Sequence, residues 1–196
     1  MPNQTNIDLI AQQEWLEPVE NGLQKVVKGA FKAGGETGRK VEDALHGTWL
    51  GHPLHAALTD VPIGAYTAAV VMDAAETLTG NETLAAGADT AIAIGLVGAV
   101  ASAITGLTDW QHLDGAPRRV GLVHGLLNLS STALFATSYI LRKKDSRTAA
   151  KAFSTAGYAL TLTAARLGGE LVYHHGIGVD HALEDSGHEG REREAA

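Results

Sequence analysis

The sequence predicts an all-α integral membrane protein, built as an up-down-up-down four-helix bundle with an amphipathic N-terminal helix. Two long apolar runs lead to this fold class. From Thr90 to Thr108 there is no charged residue, and from Val120 to Leu141 the only charged or histidine side chain is His124. Each run is close to the roughly 20 residues that cross a bilayer core. The overall content of 19% charged residues is typical of a soluble protein. Uncharged runs of this length, however, are rare in soluble helix bundles.

The residues before the first apolar stretch, 1–48, predict an amphipathic, interfacial segment. Apolar residues recur at helical spacing from Trp15 to Phe31, accompanied by Lys25, Lys28 and Lys32. This pattern is typical of a basic helix on a membrane surface, and equally of a helix packed on the bundle or on a partner. Gly34 and Gly35 end it, and a second short amphipathic piece covers Arg39 to Leu45.

Residues 49–179 predict the transmembrane domain, in which four helices cover the stretches 53–78, 83–113, 117–141 and 148–173. The first and fourth are the less apolar, since Asp60 and Asp73 interrupt one, and Arg166 and Glu170 the other. All four are rich in small residues, which allow helices to approach closely in lipid. The acidic, polar residues 180–196 predict a disordered tail.

Several function classes are excluded or made improbable by composition. The chain has no cysteine, which excludes disulfides, thiolate nucleophiles and cysteine-bound zinc or iron–sulfur clusters on this polypeptide. The net charge of −7 does not favour nucleic acid as a partner. A hydrolase is not favoured, because no Ser/His/Asp arrangement is found. Whether the protein is an enzyme of another kind stays open. The N-terminus does not resemble a cleaved signal peptide.

Orientation follows from the distribution of basic residues. We expect the protein to lie in the inner (plasma) membrane of a bacterial cell. An even number of spans puts both termini on one side, and we expect that side to be the cytoplasm. The basic residues on that side slightly outnumber the five of the third loop. They are Lys25, Lys28, Lys32, Arg39, Lys40, Arg118 and Arg119.

Polar side chains gather at the ends of the four stretches that the bundle would bring to one side. They are His52, His55 and Asp60 in the first, Asp109 and His112 in the second, His124 in the third, and Glu170, His174 and His175 in the fourth. Convergence of imidazoles and carboxylates in apolar surroundings indicates a site for a cofactor or a metal ion, since polar groups within a membrane are costly and face the interior.

Haem b for electron transfer is the first interpretation of this site. Two imidazoles from facing helices can bind haem iron axially, and His55, His124 and His174 are the candidates. Glycines near them, at positions 121, 125, 168 and 169, would leave room for a porphyrin. Asp60, Arg166 and Glu170 would surround the cofactor or its propionates, and Arg166 is placed for an ion pair with Glu170.

A transition metal such as zinc, manganese or iron is the alternative occupant. Its ligands would come from His52, His55, Asp109, His112, His124, His174 and His175. In a third interpretation the protein is a non-redox membrane scaffold or the partner of a separate protein, and its polar interior only specifies helix pairing. A homo-oligomer is compatible with each interpretation. His46, His181 and His188 lie in flanking segments and are expected to be solvated.

Four motifs resemble a bacterial membrane family, the transmembrane domain-of-unknown-function family 2231. They are the segments 46–64 (HGTWLGHPLHAALTDVPIG), 107–112 (LTDWQH), 118–125 (RRVGLVHG) and 169–178 (GELVYHHGIG). The resemblance covers residues from about 15 to 179 and implies a four-span bundle. Some relatives look fused to a Rieske iron–sulfur domain. Because this chain has no cysteine, a separate Rieske-type protein would have to supply such a cluster as its redox partner. Many relatives carry His where this chain has Asp60, a departure that weakens a cofactor role for that position.

Overall fold

The computed structural model describes residues 6–177, and this part of the chain is helical with no strand. Short 3-10 helices cover Glu14–Leu16 and Thr48–Leu50. The α-helices are α1 (Asn6–Ala11), α2 (Glu17–Ala33), α3 (Gly35–His46), α4 (Leu54–Thr79), α5 (Glu82–Trp110), α6 (Gly115–Arg142) and α7 (Arg147–Tyr173). The predicted acidic tail, 180–196, lies outside the described residues.

The four predicted apolar stretches are the long helices α4 to α7, and local signals set their ends. Gly80 adopts a left-handed conformation with φ 67°, which stops α4 where an L side chain would be strained. The Asn81 side chain then accepts a hydrogen bond from the Thr83 amide at 2.9 Å and caps α5. A two-residue turn therefore joins α4 and α5 into a tight helical hairpin.

Contacts between helix ends show that consecutive long helices run in opposite directions. His55, at the start of α4, contacts the main chain of Ser102 near the end of α5. At the other end, Asp73 of α4 contacts Arg142 at the end of α6. The most extensive packing joins α4 to α5 and α6 to α7, so the long helices form two hairpins that pack together.

The long helices have an apolar outer surface and a polar interior. Large apolar side chains point outward on all four helices, as at Val71, Val97, Leu129 and Leu162, with Val97 73% exposed. The buried side chains include many hydroxyls: Ser102, Thr105, Thr108, Ser131, Ser138, Ser154 and Thr161. An apolar exterior around hydrogen-bonded polar contacts is the arrangement of helices packed in lipid.

Three of the described helices, α4, α5 and α6, are long and apolar enough to cross a membrane. The sequence predicts four spans, but α7 is not among the helices that meet this measure. Lys151, Arg166 and a high content of Ser, Thr and Gly lower its hydropathy. Its 27 residues nevertheless match the length of the others.

The N-terminal helices pack on one end of the hairpins through buried polar contacts. Glu20 of α2 is 0% exposed and pairs with Arg118 at 3.0 Å. Gln24 donates to the Leu113 carbonyl at 2.8 Å. The valines of the predicted apolar stripe, Val19 and Val26, remain exposed. In the described residues α2 packs on the bundle through Glu20 and Gln24, with Leu23 also in contact. The position of this segment on a membrane surface stays a prediction.

The two hairpins repeat one set of contacts. His55 and Tyr66 of α4 correspond to His124 and Phe135 of α6, and each pair is separated by 69 residues. The ring of Tyr66 packs where Gly95 of α5 lacks a side chain, and that of Phe135 packs in the same way on Gly157 of α7, 62 residues further on. Equivalent positions on α4 and α6 therefore lie in equivalent surroundings.

Candidate functional site

Two histidines and two carboxylates meet where α3 ends beside the last turn of α5. His46 Nδ1 lies 2.7 Å from Asp109 Oδ1, and His112 Nε2 lies 3.0 Å from Glu42 Oε1. The two imidazole rings are 5.3 Å apart between centroids. One ligand-type atom from each of Glu42, His46 and His112 fits within a mutual distance of 4.8 Å, which is compact enough for one metal ion. These four residues are called the interfacial cluster below.

The interfacial cluster is held from its buried side by Gln111. This side chain is fully buried and donates from Nε2 to Glu42 Oε1 at 2.9 Å. Its amide oxygen is buried without a hydrogen-bond partner. Glu42 therefore has a fixed position, and an unsatisfied oxygen lies beside it.

Asp109 controls the charge of His46. The hydrogen bond to Asp109 raises the pKa of His46 above its ordinary value, burial opposes this, and the charges of Asp109, Glu42 and Asp43 add to the increase. Because its Nδ1 is bound to a carboxylate, His46 has its other ring nitrogen, Nε2, oriented for a second partner.

A second group of imidazoles lies within the hairpins. His55 Nδ1 lies 2.9 Å from the Ser102 carbonyl, and His124 Nδ1 lies 2.8 Å from the Ala164 carbonyl. Since a carbonyl only accepts, both rings carry their proton on Nδ1, which leaves Nε2 as the basic atom. The Asn128 amide lies 3.1 Å from His124 Nε2.

Each of these rings rests on a glycine of the neighbouring helix. A Cβ at Gly106 would lie 2.7 Å from His55 Cε1, and a Cβ at Gly168 would lie 3.0 Å from His124 Cε1. Gly106 lies four residues after Ser102, and Gly168 lies four residues after Ala164, so each ring contacts a carbonyl and a glycine one helical turn apart. His55 and His124 occupy corresponding positions on α4 and α6, 69 residues apart. They form a matched pair, one from each hairpin.

The long helices and this pair lie within a region shared with known proteins. Residues 51–181 match the family described as "Predicted membrane protein (DUF2231)". The chain belongs to this family. No curated protein and no solved structure matches the chain.

The DUF2231 region contains His55, His124, Asp109 and His112, whereas Glu42 and His46 precede it. The interfacial cluster therefore joins the family region to the N-terminal helices. Sequence reasoning missed these two residues and treated His46 as solvated, which is wrong because His46 is partly buried against Asp109. The available signal was the spacing of Glu42 and His46, one helical turn apart at the end of an amphipathic helix.

The remaining predicted residues do not join either group in the part of the chain described here. Glu170 pairs with His174 at 3.0 Å at the end of α7, so the expected ion pair with Arg166 is not formed. Arg166 and Asp60 are exposed on the outer surface rather than turned inward. Among the described contacts, His52 and His175 have no polar partner. The polar ends predicted to form one site therefore separate into the interfacial cluster, the His55–His124 pair and a surface pair.

A charged network lies at the opposite end of the hairpins, and sequence reasoning missed it too. Arg142 is fully buried and binds Asp73 through two nitrogens and Asp89 at 2.8 Å. Arg147 contacts Asp89 at 3.0 Å and Glu76 at 3.1 Å, and Lys151 also pairs with Glu76. Three acids and three bases neutralise one another, as buried charges require. This network indicates a structural lock rather than a binding site.

Proposed function

We propose that the protein is a four-span, all-α membrane protein that binds haem b between His55 and His124 and transfers electrons. The observation that carries this proposal is the matched pair: two imidazoles on corresponding positions of α4 and α6, each fixed through Nδ1 to a main-chain carbonyl. Axial histidines in membrane cytochromes come from facing helices, and a ligating histidine characteristically donates its other N–H to such a carbonyl.

The donor set suits haem iron. Both Nε2 atoms are the unprotonated nitrogens, and neutral imidazole nitrogen is the ligand that b-type iron takes. Gly106 and Gly168 allow the rings to approach the neighbouring helices closely, because a Cβ at either position would lie within 3.0 Å of the ring. To release His124 Nε2, the Asn128 amide would keep its 3.0 Å bond to the His124 carbonyl and give up the one to the ring. His55 and His124 would hold the haem, which would supply one-electron redox chemistry, with a separate Rieske-type protein as the redox partner.

The four-span topology is supported by α7 as well as by the three apolar helices. The polar residues Ser154 and Thr161 of α7 are buried, while Leu162 faces outward with the apolar residues of the other helices. With four spans, both termini lie on one side. We place them in the cytoplasm and the protein in the bacterial inner membrane, by the basic residues of α2 and α3.

An absorption spectrum of the detergent-purified full chain tests the proposal. We expect a Soret band and, after reduction with dithionite, an α band. His55→Ala and His124→Ala should each abolish these bands, while His52→Ala and His175→Ala, which change histidines without polar partners, should keep them. A folded, colourless protein from cells supplied with haem precursor would refute haem binding. It would favour the scaffold interpretation, in which polar residues only specify helix pairing.

A further inference from the structure

The interfacial cluster has the composition of a metal site, and it is separate from the His55–His124 pair. Glu42, His46 and His112 offer two imidazole nitrogens and a carboxylate oxygen. This set of three protein ligands, with one position left for water, is common for zinc and for other divalent transition metals. We infer that Glu42, His46 and His112 bind one divalent transition metal ion, with Asp109 as the residue that orients His46.

The contacts around the cluster fit this role. Asp109 lies 2.7 Å from His46 Nδ1, so His46 would bind the ion through Nε2 in the carboxylate–histidine–metal arrangement. Glu42 Oε1 and His112 Nε2 are already 3.0 Å apart, a separation that two ligands of the same ion can keep with small adjustments. Gln111 holds Glu42 at 2.9 Å from the buried side.

Burial and charge also distinguish this cluster from an ordinary group of surface acids. The Glu42, His46 and Asp109 side chains are each less than a third exposed, and the open side is that of His112. The amide oxygen of Gln111, behind Glu42, is also buried without a hydrogen-bond partner.

The cluster joins two parts of the fold, so a bound ion would connect them. Glu42 and His46 belong to α3, whereas His112 and Asp109 belong to the end of α5 and the turn that follows it. One ion would therefore tie the N-terminal helices to the membrane hairpins. Metal binding should raise the thermal stability of the folded protein, because the unfolded chain does not keep this arrangement.

Isothermal titration of the EDTA-treated full chain in detergent with ZnCl₂, and separately with MnCl₂, tests the inference. The protein should be purified without a histidine tag, in a His181→Ala/His188→Ala background that removes two further histidines. We expect one saturable site and a higher melting temperature with metal. His46→Ala and His112→Ala should each abolish both effects, and Asp109→Asn should weaken binding about 10–100-fold.

Three comparison variants keep the outcome interpretable. Glu42→Gln retains a side chain of the same shape for Gln111 to contact, so the variant should fold normally. It should nevertheless bind metal more weakly than the parent, because it lacks the carboxylate. His174→Ala removes a histidine that also pairs with a glutamate, and it should bind metal as the parent does. His55→Ala should bind metal normally whether or not haem is present, so failure of the haem proposal leaves this test intact. Absence of a saturable site, or equal loss in His174→Ala, would overturn the inference.

Discussion

Tyr66 stacks on Phe135 with the ring centroids 3.6 Å apart and the ring planes within 5° of parallel. These two residues occupy corresponding positions of α4 and α6, as do Asp73 and Arg142, which form the buried ion pair 69 residues apart. In both the ring stack and the ion pair, the two partners therefore come from equivalent positions of the two hairpins. A stack in the middle and an ion pair at one end fix how α4 and α6 face each other, and His55 and His124 lie toward the other end of these helices.

Substitution of the glycines behind the stack should destabilise the protein unequally. A Cβ at Gly95 would lie 2.4 Å from Tyr66 Cε1, whereas one at Gly157 would lie 3.0 Å from Phe135 Cδ2. We expect Gly95→Ala to lower the free energy of unfolding by about 1–3 kcal/mol and Gly157→Ala by less. Unfolding in mixed SDS micelles measures both. Gly64→Ala is the control, since its Cβ would meet nothing, and equal stability of all three variants would contradict the packing described.

Loss of one partner of the buried ion pair should cost more than loss of both. Asp73→Leu leaves Asp89 as the only carboxylate paired with the Arg142 guanidinium, and we expect a loss of about 3–5 kcal/mol. Asp73→Leu/Arg142→Leu removes both charges, and Asp89 keeps Arg147 as its partner. The double variant should therefore be the more stable of the two by the same unfolding measurement. Additive effects of Asp73→Leu and Arg142→Leu would show that the pair is not coupled.

Glycines that support the imidazole rings should be needed for haem retention. Gly106→Ala and Gly168→Ala would push the His55 and His124 rings from their present positions. We expect each variant to lose most of its Soret absorbance while it remains folded by circular dichroism. Gly125→Ala, whose Cβ would meet nothing within 4 Å, should keep it. Full absorbance in Gly106→Ala and Gly168→Ala would separate the rings from cofactor binding.

The contact between Glu20 and Arg118 should hold α2 on the hairpins. Glu20→Ala leaves Arg118 largely buried without this carboxylate, and we expect about 3 kcal/mol less resistance to local opening. Limited proteolysis near Gly34 should then be about 100-fold faster, because each 1.4 kcal/mol is a factor of ten in the open population. Glu17→Ala, an exposed position on the same helix, is the control. Equal cleavage rates would mean that α2 is held by other contacts.

Arg166 and Asp60 should be dispensable for cofactor binding. Both lie on the outer surface, and Arg166 makes no ion pair with the described residues. The long Arg166 side chain can extend its guanidinium to the membrane interface, and Asp60 is already exposed. Arg166→Ala and Asp60→Asn should therefore each change the free energy of unfolding by about 0.5 kcal/mol or less. The Soret absorbance of the purified variants should equal that of the parent. Loss of colour in either variant would restore the interior role that the sequence suggests.

Periodicity and hydropathy predict the long helices well because these properties depend on neighbouring residues. The four stretches match α4 to α7 closely at both ends. Side-chain direction is less accessible, as Arg166 illustrates: its spacing from Glu170 permits an ion pair, but Glu170 binds His174 instead. Likewise, no local pattern joins His46 to Asp109, since the two are 63 residues apart.

The sequence by itself determined that this is a helical membrane protein of the DUF2231 family, because apolar run length and family motifs are properties of the linear chain. Only the tertiary structure decided which polar groups meet. It fixed His55 and His124 on equivalent main-chain carbonyls of the two hairpins, brought Glu42 and His46 of α3 to Asp109 and His112, and enclosed Arg142 among acidic residues. The physical reason is that helix rotation and packing, which long-range contacts fix, set the direction of every side chain.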